Sequence, residues 1–110
     1  MVYSIDFDGT LCADKWPDIG PPNTALIEHF KRLRQDGDKL ILNTMREGRL
    51  LNEALSWCRS FGLEFDAVND NLEELKHKYN NNPRKVFADV YVDDRNAKES
   101  ILTDLPYEME

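Results

Sequence analysis

The chain has 110 residues, of which 41% are hydrophobic and 32% are charged, which indicates one globular domain over residues 1–110 and excludes a second domain of ordinary size. Its formal net charge of −7 argues against stable binding of nucleic acid, because phosphate backbones are held by clustered lysine and arginine. No apolar stretch approaches the roughly 20 residues needed to cross a bilayer, so we expect no membrane insertion.

The first part of the chain is predicted to pass from strand to helix. Residues 2–7 form a short apolar run that stops at acidic residues, which predicts a buried strand ending at a turn. After a loop over residues 11–22, either Asn23 or Thr24 can cap a helix whose apolar residues have helical spacing. This helix is expected to end near Gly37.

The second part repeats this alternation. Residues 39–43 predict a strand that stops at Thr44, and residues 48–61 predict a helix that stops at Gly62. The remaining predicted elements are a short strand over residues 65–68, one or two helical turns and a loop over residues 69–84, and a strand over residues 86–92. Alternating strands and helices predict a Rossmann-like three-layer α/β domain with a parallel sheet.

Acidic and hydroxyl side chains occur where three of the predicted strands stop. The first strand ends at Asp6 and Asp8, the second at Thr44, and the last at Asp93 and Asp94. Ligands of parallel α/β sheets bind at the carboxyl ends of the strands, so we expect these residues to share one site. Adjacent carboxylates suit Mg²⁺, which prefers hard oxygen ligands.

The run Ile5-Asp6-Phe7-Asp8-Gly9-Thr10-Leu11 resembles the first motif of the haloacid dehalogenase-like superfamily, the aspartate-nucleophile phosphatases and their relatives. Thr44, Lys85 and the Asp93-Asp94 pair follow in the order of that family, so the resemblance extends from Ile5 to Asn96. Within the superfamily the chain looks like a subgroup of small bacterial and phage hydrolases. Residues 11–22 and 69–83 are too short for an inserted cap domain, which implies a capless member.

This resemblance implies a magnesium-dependent phosphomonoester hydrolase. Asp6 would be the nucleophile that forms an aspartyl phosphate, and Asp8 the general acid and base. Thr44 would donate its hydroxyl to a phosphate oxygen, aided by the helix that starts beyond it, with a plain N-cap as the alternative. Lys85 would neutralise the nucleophile and the phosphate. The implied ligands of Mg²⁺ are the carboxylates of Asp6, Asp93 and Asp94 and the main-chain oxygen of Asp8.

Three further residues are candidates for substrate binding. Gly9 allows a turn whose exposed N–H groups could cradle phosphate, and Thr10 either hydrogen-bonds within that turn or takes part in catalysis. Arg46 either reaches the phosphate or the substrate, or is a solvated side chain. The basic residues that could take the place of Lys85 are Lys76, Lys78 and Arg84.

An open site leaves the substrate undecided. It suits a small sugar or nucleotide phosphate enclosed by a neighbouring subunit, or a bulky phosphorylated macromolecule, and self-association would also stabilise so small a domain. The apolar segment at residues 16–22 could contact substrate, form a subunit interface or pack in the core. With two cysteines and no basic segment leading an apolar run, we expect a reduced, cytoplasmic protein.

Three alternative functions stay open. A receiver-type phosphoacceptor domain has a similar sheet, an acidic magnesium site, a threonine and a lysine, but its acidic pair comes early in the chain, whereas here the paired aspartates come last. A catalytically silent protein that keeps the metal is the second alternative. The third keeps catalysis and makes a phosphorylated nucleic-acid end the substrate.

Overall fold

The structure is a computed structural model that describes residues 1–70, 72–73 and 87–93. In chain order its elements are β1 (Val2–Ile5), β2 (Cys12–Lys15), β3 (Asp18–Pro22), α1 (Thr24–Gln35), β4 (Lys39–Leu42), α2 (Gly48–Ser60), β5 (Ala67–Val68) and β6 (Val90–Val92). Four of the strands form a parallel sheet in the order β5-β4-β1-β6. The predicted Rossmann-like α/β fold with a parallel sheet is confirmed.

The register of the sheet brings the carboxyl ends of three strands to one level. Ile5 at the end of β1 is paired with Leu42 on β4 and with Val92 on β6. The ladder continues one residue further, because the N–H of Asp6 donates to the carbonyl oxygen of Val92 and that of Asn43 donates to Ile5, each at 2.9 Å. Residues that follow these strands are therefore neighbours in space.

One face of the sheet packs on α1 and α2. Ile5, Phe7 and Leu42 point to this face and have no exposed surface. The helices contribute the residues Leu26, Ile27, Phe30, Ala54 and Cys58 to the same core. Full burial of each large apolar side chain stabilises the fold by about 1.5–3 kcal/mol, so this layer holds the sheet in place.

The helix ends follow the local signals in the sequence. Asn23 is the N-cap of α1, and its side-chain oxygen accepts from the N–H of Leu26 at 3.3 Å. This settles the choice between Asn23 and Thr24. The chain leaves α1 through Gly37, whose φ of 103° lies in the left-handed region that glycine adopts without strain.

The loop predicted over residues 11–22 is wrong, because most of it forms an antiparallel hairpin. Strands β2 and β3 are joined by Trp16 and Pro17, and the pairing shifts between Cys12 and Asp14. The segment contains Pro17, Gly20, Pro21 and Pro22, residue types that are common in loops. Proline is accepted in edge strands and bulges, however, and a two-stranded hairpin consists of edge strands only.

Several predicted boundaries also differ. Strand β1 stops at Ile5, β5 spans only Ala67–Val68, and β6 begins at Val90. The predicted start of α2 at Gly48 is confirmed, and its N-cap is Glu47, so the alternative of Thr44 as a plain N-cap is wrong. The helical turns predicted over residues 69–84 fall mostly outside the described residues. In the described part of the chain, no helix has both the length and the apolar character needed to cross a membrane.

Candidate active site

A cavity of about 290 Å³ opens where β1, β4 and β6 end. Its lining consists of Ser4, Asp6, Asn43, Thr44, Met45, Tyr91, Val92 and Asp93. Three of the residues predicted to act together, Asp6, Thr44 and Asp93, are therefore brought to one cavity. They come from distant parts of the chain and meet because three adjacent parallel strands end in register.

The hydrogen-bond ladder of the sheet holds Asp6 at the cavity. Its N–H is bound to Val92, and its own Oδ1 accepts from the N–H of Phe7 at 2.9 Å. The side chain is half-buried. A carboxylate oriented by its own backbone and placed at a cavity can act as a nucleophile or as a ligand of a cation.

Thr44 is oriented by two hydrogen bonds. Its N–H donates to Oδ1 of Asn69 at 2.7 Å, and its Oγ1 accepts from the N–H of Arg46 at 3.1 Å. A hydroxyl that accepts here keeps its own proton for donation to another group. Thr44 can therefore donate to an oxygen of a ligand in the cavity.

Asn69 is a positioning residue that the sequence interpretation missed. It has a φ of 52°, and its N–H donates to the carbonyl oxygen of Leu42 at 2.7 Å. Asparagine tolerates the left-handed region better than most residues, and its side chain turns back here to bind Thr44. An asparagine directly after a short predicted strand was the signal that could have identified it.

Ser4 and Asn43 were also missed. Ser4 is 3% exposed and lies two residues before Asp6, so both side chains point to the same face of the sheet. Asn43 follows β4 as Asp6 follows β1. A polar residue inside an apolar strand, spaced by two from a candidate nucleophile, was the available signal for Ser4.

Asp8 and Arg46 form a partly buried ion pair. Nε of Arg46 donates to Oδ2 of Asp8, and Nη2 donates to Oδ1, both at 2.8 Å. The Arg46 side chain has no exposed surface, whereas that of Asp8 is 19% exposed. The hydrogen bonds to Asp8 raise the pKa of the Arg46 guanidinium above its usual value. Cζ of Arg46 also lies 5.2 Å from the centre of the Phe7 ring, within the range of a cation–π contact.

This placement differs from both interpretations of Arg46. A side chain without exposed surface is not a solvated arginine. Nor is it available to a substrate in this arrangement, because its N–H groups are bound to Asp8 and to main-chain oxygens of the hairpin. The sequence does not show this role, because Arg46 and Asp8 are 38 residues apart.

Gly9 and Thr10 do not line the cavity of Asp6. The N–H of Gly9 donates to Cys12 at 2.9 Å and that of Thr10 donates to Phe7 at 3.1 Å, so the predicted cradle of exposed N–H groups is wrong. Gly9 has a φ of 84°, which explains why glycine occupies this turn. Oγ1 of Thr10 is buried and has no hydrogen-bond partner among the described residues, and Thr10 lines a separate cavity beside β2 and β3.

Only some of the predicted metal ligands lie among the described residues. Asp6 and Asp93 supply two carboxylates to one cavity, while Asp94 and Lys85 lie outside the described residues. Among residues 1–70, 72–73 and 87–93, no three histidine, cysteine or acidic side chains form a group that could hold a metal ion. Mg²⁺ commonly takes one or two protein carboxylates and completes its shell with waters and phosphate oxygens, so these two carboxylates fit it.

Comparison with known proteins shows one close structural relationship. A solved structure of a conserved protein coded by a locus of Bacteroides thetaiotaomicron has a TM-score of 0.77 and 43% sequence identity to this chain. The match covers 88% of this chain and 78% of the other. No protein-family model matches the sequence, and no curated protein matches it. Because the relative is described only as a conserved protein, the likeness carries the fold and no activity.

Proposed function

This chain belongs to the same family as the conserved Bacteroides thetaiotaomicron protein, and we propose that it is a magnesium-dependent phosphomonoester hydrolase. The observation that carries the proposal is that Asp6, Thr44 and Asp93 line one cavity at the carboxyl edge of the sheet. These are a carboxylate for attack, a hydroxyl for a phosphate oxygen and a second carboxylate for a cation. The order of its motifs would make the chain a capless member of the haloacid dehalogenase-like superfamily.

In the proposed reaction Asp6 attacks the phosphorus atom. A bond forms between a carboxylate oxygen and phosphorus, and the ester bond to the leaving oxygen breaks. Asp8 gives that oxygen a proton, so an alcohol departs and an aspartyl phosphate remains. Asp8 then takes a proton from water, which attacks phosphorus and releases inorganic phosphate with Asp6 restored.

The other residues of the site bind and neutralise the phosphoryl group. Thr44 donates its hydroxyl proton to a phosphate oxygen, and the hydrogen bond that its N–H donates to Oδ1 of Asn69 keeps it in position. Mg²⁺, when bound, would neutralise the negative charge that develops on the phosphate oxygens. Asp6 and Asp93 would hold it, and the resemblance adds Asp94 and the main-chain oxygen of Asp8. Lys85 would contribute a positive charge.

The size of the cavity and the net charge of the chain favour a small substrate. A cavity of about 290 Å³ is near the lower limit for small-molecule sites, which fits a phosphoryl group with a compact alcohol. The net charge of −7 disfavours a nucleic-acid end.

The test is release of phosphate from a panel of sugar phosphates, nucleotides and phosphorylated oligonucleotides, with Mg²⁺ or with a chelator. Wild type should turn over in Mg²⁺ only, and Asp6→Asn should lower the rate by at least about 10³-fold because the nucleophile is lost. The matched control is Asp36→Asn, an exposed aspartate at the end of α1, which should keep the wild-type rate.

Two results would count against this function. Wild-type turnover by Asp6→Asn would rule out the covalent mechanism and leave hydrolysis by another route. Silence of folded wild-type protein across the panel would reject the hydrolase, and measured Mg²⁺ binding without turnover would favour a silent metal-binding protein or a phosphoacceptor.

A further inference from the structure

We propose that Arg46 is the positioning residue of the site, which orients the Asp8 carboxylate and ties it to the β2–β3 hairpin. The proposal rests on the proposed hydrolase function, because it assumes that Asp8 exchanges protons with the leaving group and with water. It concerns a residue that touches neither the substrate nor the cavity. Its role is to set the direction from which Asp8 acts.

The hydrogen bonds of Arg46 leave none of its donors for a ligand. A guanidinium has five N–H groups, and Arg46 makes five side-chain hydrogen bonds. Two go to Asp8, and the others go to the main-chain oxygens of Pro17 at 3.2 Å, Asp18 at 3.0 Å and Leu50 at 3.5 Å. An arginine satisfied in this way holds parts of the protein together and does not bind substrate.

The two-pronged bond to Asp8 determines where its proton can lie. Both carboxylate oxygens accept from Arg46, so a proton given or taken by Asp8 must use the lone pairs that point away from the guanidinium. Asp8 is 19% exposed while Arg46 is fully buried, so the solvent-accessible part of the pair belongs to Asp8. Arg46 therefore orients the Asp8 carboxylate and also balances its negative charge.

The same guanidinium connects three separate segments of the chain. It joins the turn after β1, the connection between β2 and β3, and the start of α2. The main-chain N–H of Arg46 also donates to Oγ1 of Thr44, the hydroxyl assigned to the phosphate. A change at Arg46 should consequently affect the proton-transfer residue and the hairpin together, while the sheet and α1 remain as they are.

Leaving-group dependence distinguishes a positioning role from a general structural one. Protonation of the leaving oxygen matters for an alkyl phosphate and matters little for an aryl phosphate whose phenolate departs unaided. We therefore expect Arg46→Gln and Arg46→Lys to lower kcat/KM for an alkyl phosphate by about 10²-fold and for p-nitrophenyl phosphate by less than about 5-fold. Lysine should fail to rescue because it lacks the planar fork.

The matched control is Arg49→Gln, three residues further along the chain. The Arg49 side chain is 82% exposed and pairs only loosely with Glu53 at 3.3 Å, so kcat/KM for both substrates should stay at the wild-type value. Equal losses on the alkyl and aryl phosphates in the Arg46 variants would overturn the positioning role. Full activity of Arg46→Lys on the alkyl phosphate would overturn it too.

Amide hydrogen exchange tests the tie to the hairpin without using activity. In Arg46→Lys, which keeps the positive charge, amides of β2 and β3 should exchange at least about 10-fold faster than in wild type, while those of α1 stay unchanged. Unchanged exchange in the hairpin would reject the tie even if the Gln variant does not fold. An inactive wild type would instead reject the hydrolase function, so the two failures are distinguishable.

Discussion

The ion pair between the buried Arg46 and the partly exposed Asp8 predicts an unequal response to the loss of either partner. Asp8→Ala leaves a guanidinium with no exposed surface and no counter-charge, and breaking a buried ion pair in this way costs about 3–5 kcal/mol. Arg46→Met leaves a carboxylate that is 19% exposed and that water can reach, so we expect a smaller loss of about 2–3 kcal/mol. Asp8→Ala should therefore be the more destabilising substitution.

Urea unfolding followed by circular dichroism measures these differences, provided that the slope of the transition is unchanged. In the double variant no charge is left unpaired, so its loss should fall at least about 1 kcal/mol short of the sum of the two single losses. Glu53→Ala is the control, because its exposed pair with Arg49 should contribute less than about 1 kcal/mol. Additive losses, or a cost below about 1 kcal/mol for Asp8→Ala, would refute the description of a buried, coupled pair.

Three further predictions concern the hairpin, a helix cap and the core. Gly20→Ala should destabilise the protein by about 1–3 kcal/mol and lower the Tm, because the new Cβ would overlap the carbonyl oxygen of Ala13. Asn23→Ala should cost about 1 kcal/mol in urea unfolding, since it removes the cap of α1 and the bond to Thr10, and an unchanged midpoint would contradict this. Burial raises the pKa of the Cys58 thiol from 9.0 to about 12, so the stabilising contribution of the protonated thiol is complete below about pH 9 and is lost as the pH rises towards 12. Wild type should accordingly lose more stability than Cys58→Ala between about pH 8 and about pH 11, as urea midpoints would show.

The helices illustrate how much of the fold could be predicted from local pattern. The predicted start and end of α1 agree with Asn23 as the cap and with Gly37 after the last turn. Apolar spacing and capping depend on residues within a few positions of one another, so the sequence contains the full signal. The hairpin was missed because its pairing depends on which backbone groups meet across a turn, and its prolines and glycine hide that pairing.

In the candidate site, too, some features follow from local sequence pattern and others depend on tertiary contacts. The sequence by itself determined that Asp6, Thr44 and Asp93 lie just after the ends of three strands, and a parallel sheet then brings such residues to one edge whatever the loops between them. Only the tertiary structure decided that Asn69 holds Thr44 and that Arg46 is buried against Asp8 and the hairpin. These contacts join residues 25 to 38 positions apart through single side chains. Burial of a charged side chain depends on what the whole chain packs around it, and residue spacing carries no record of that.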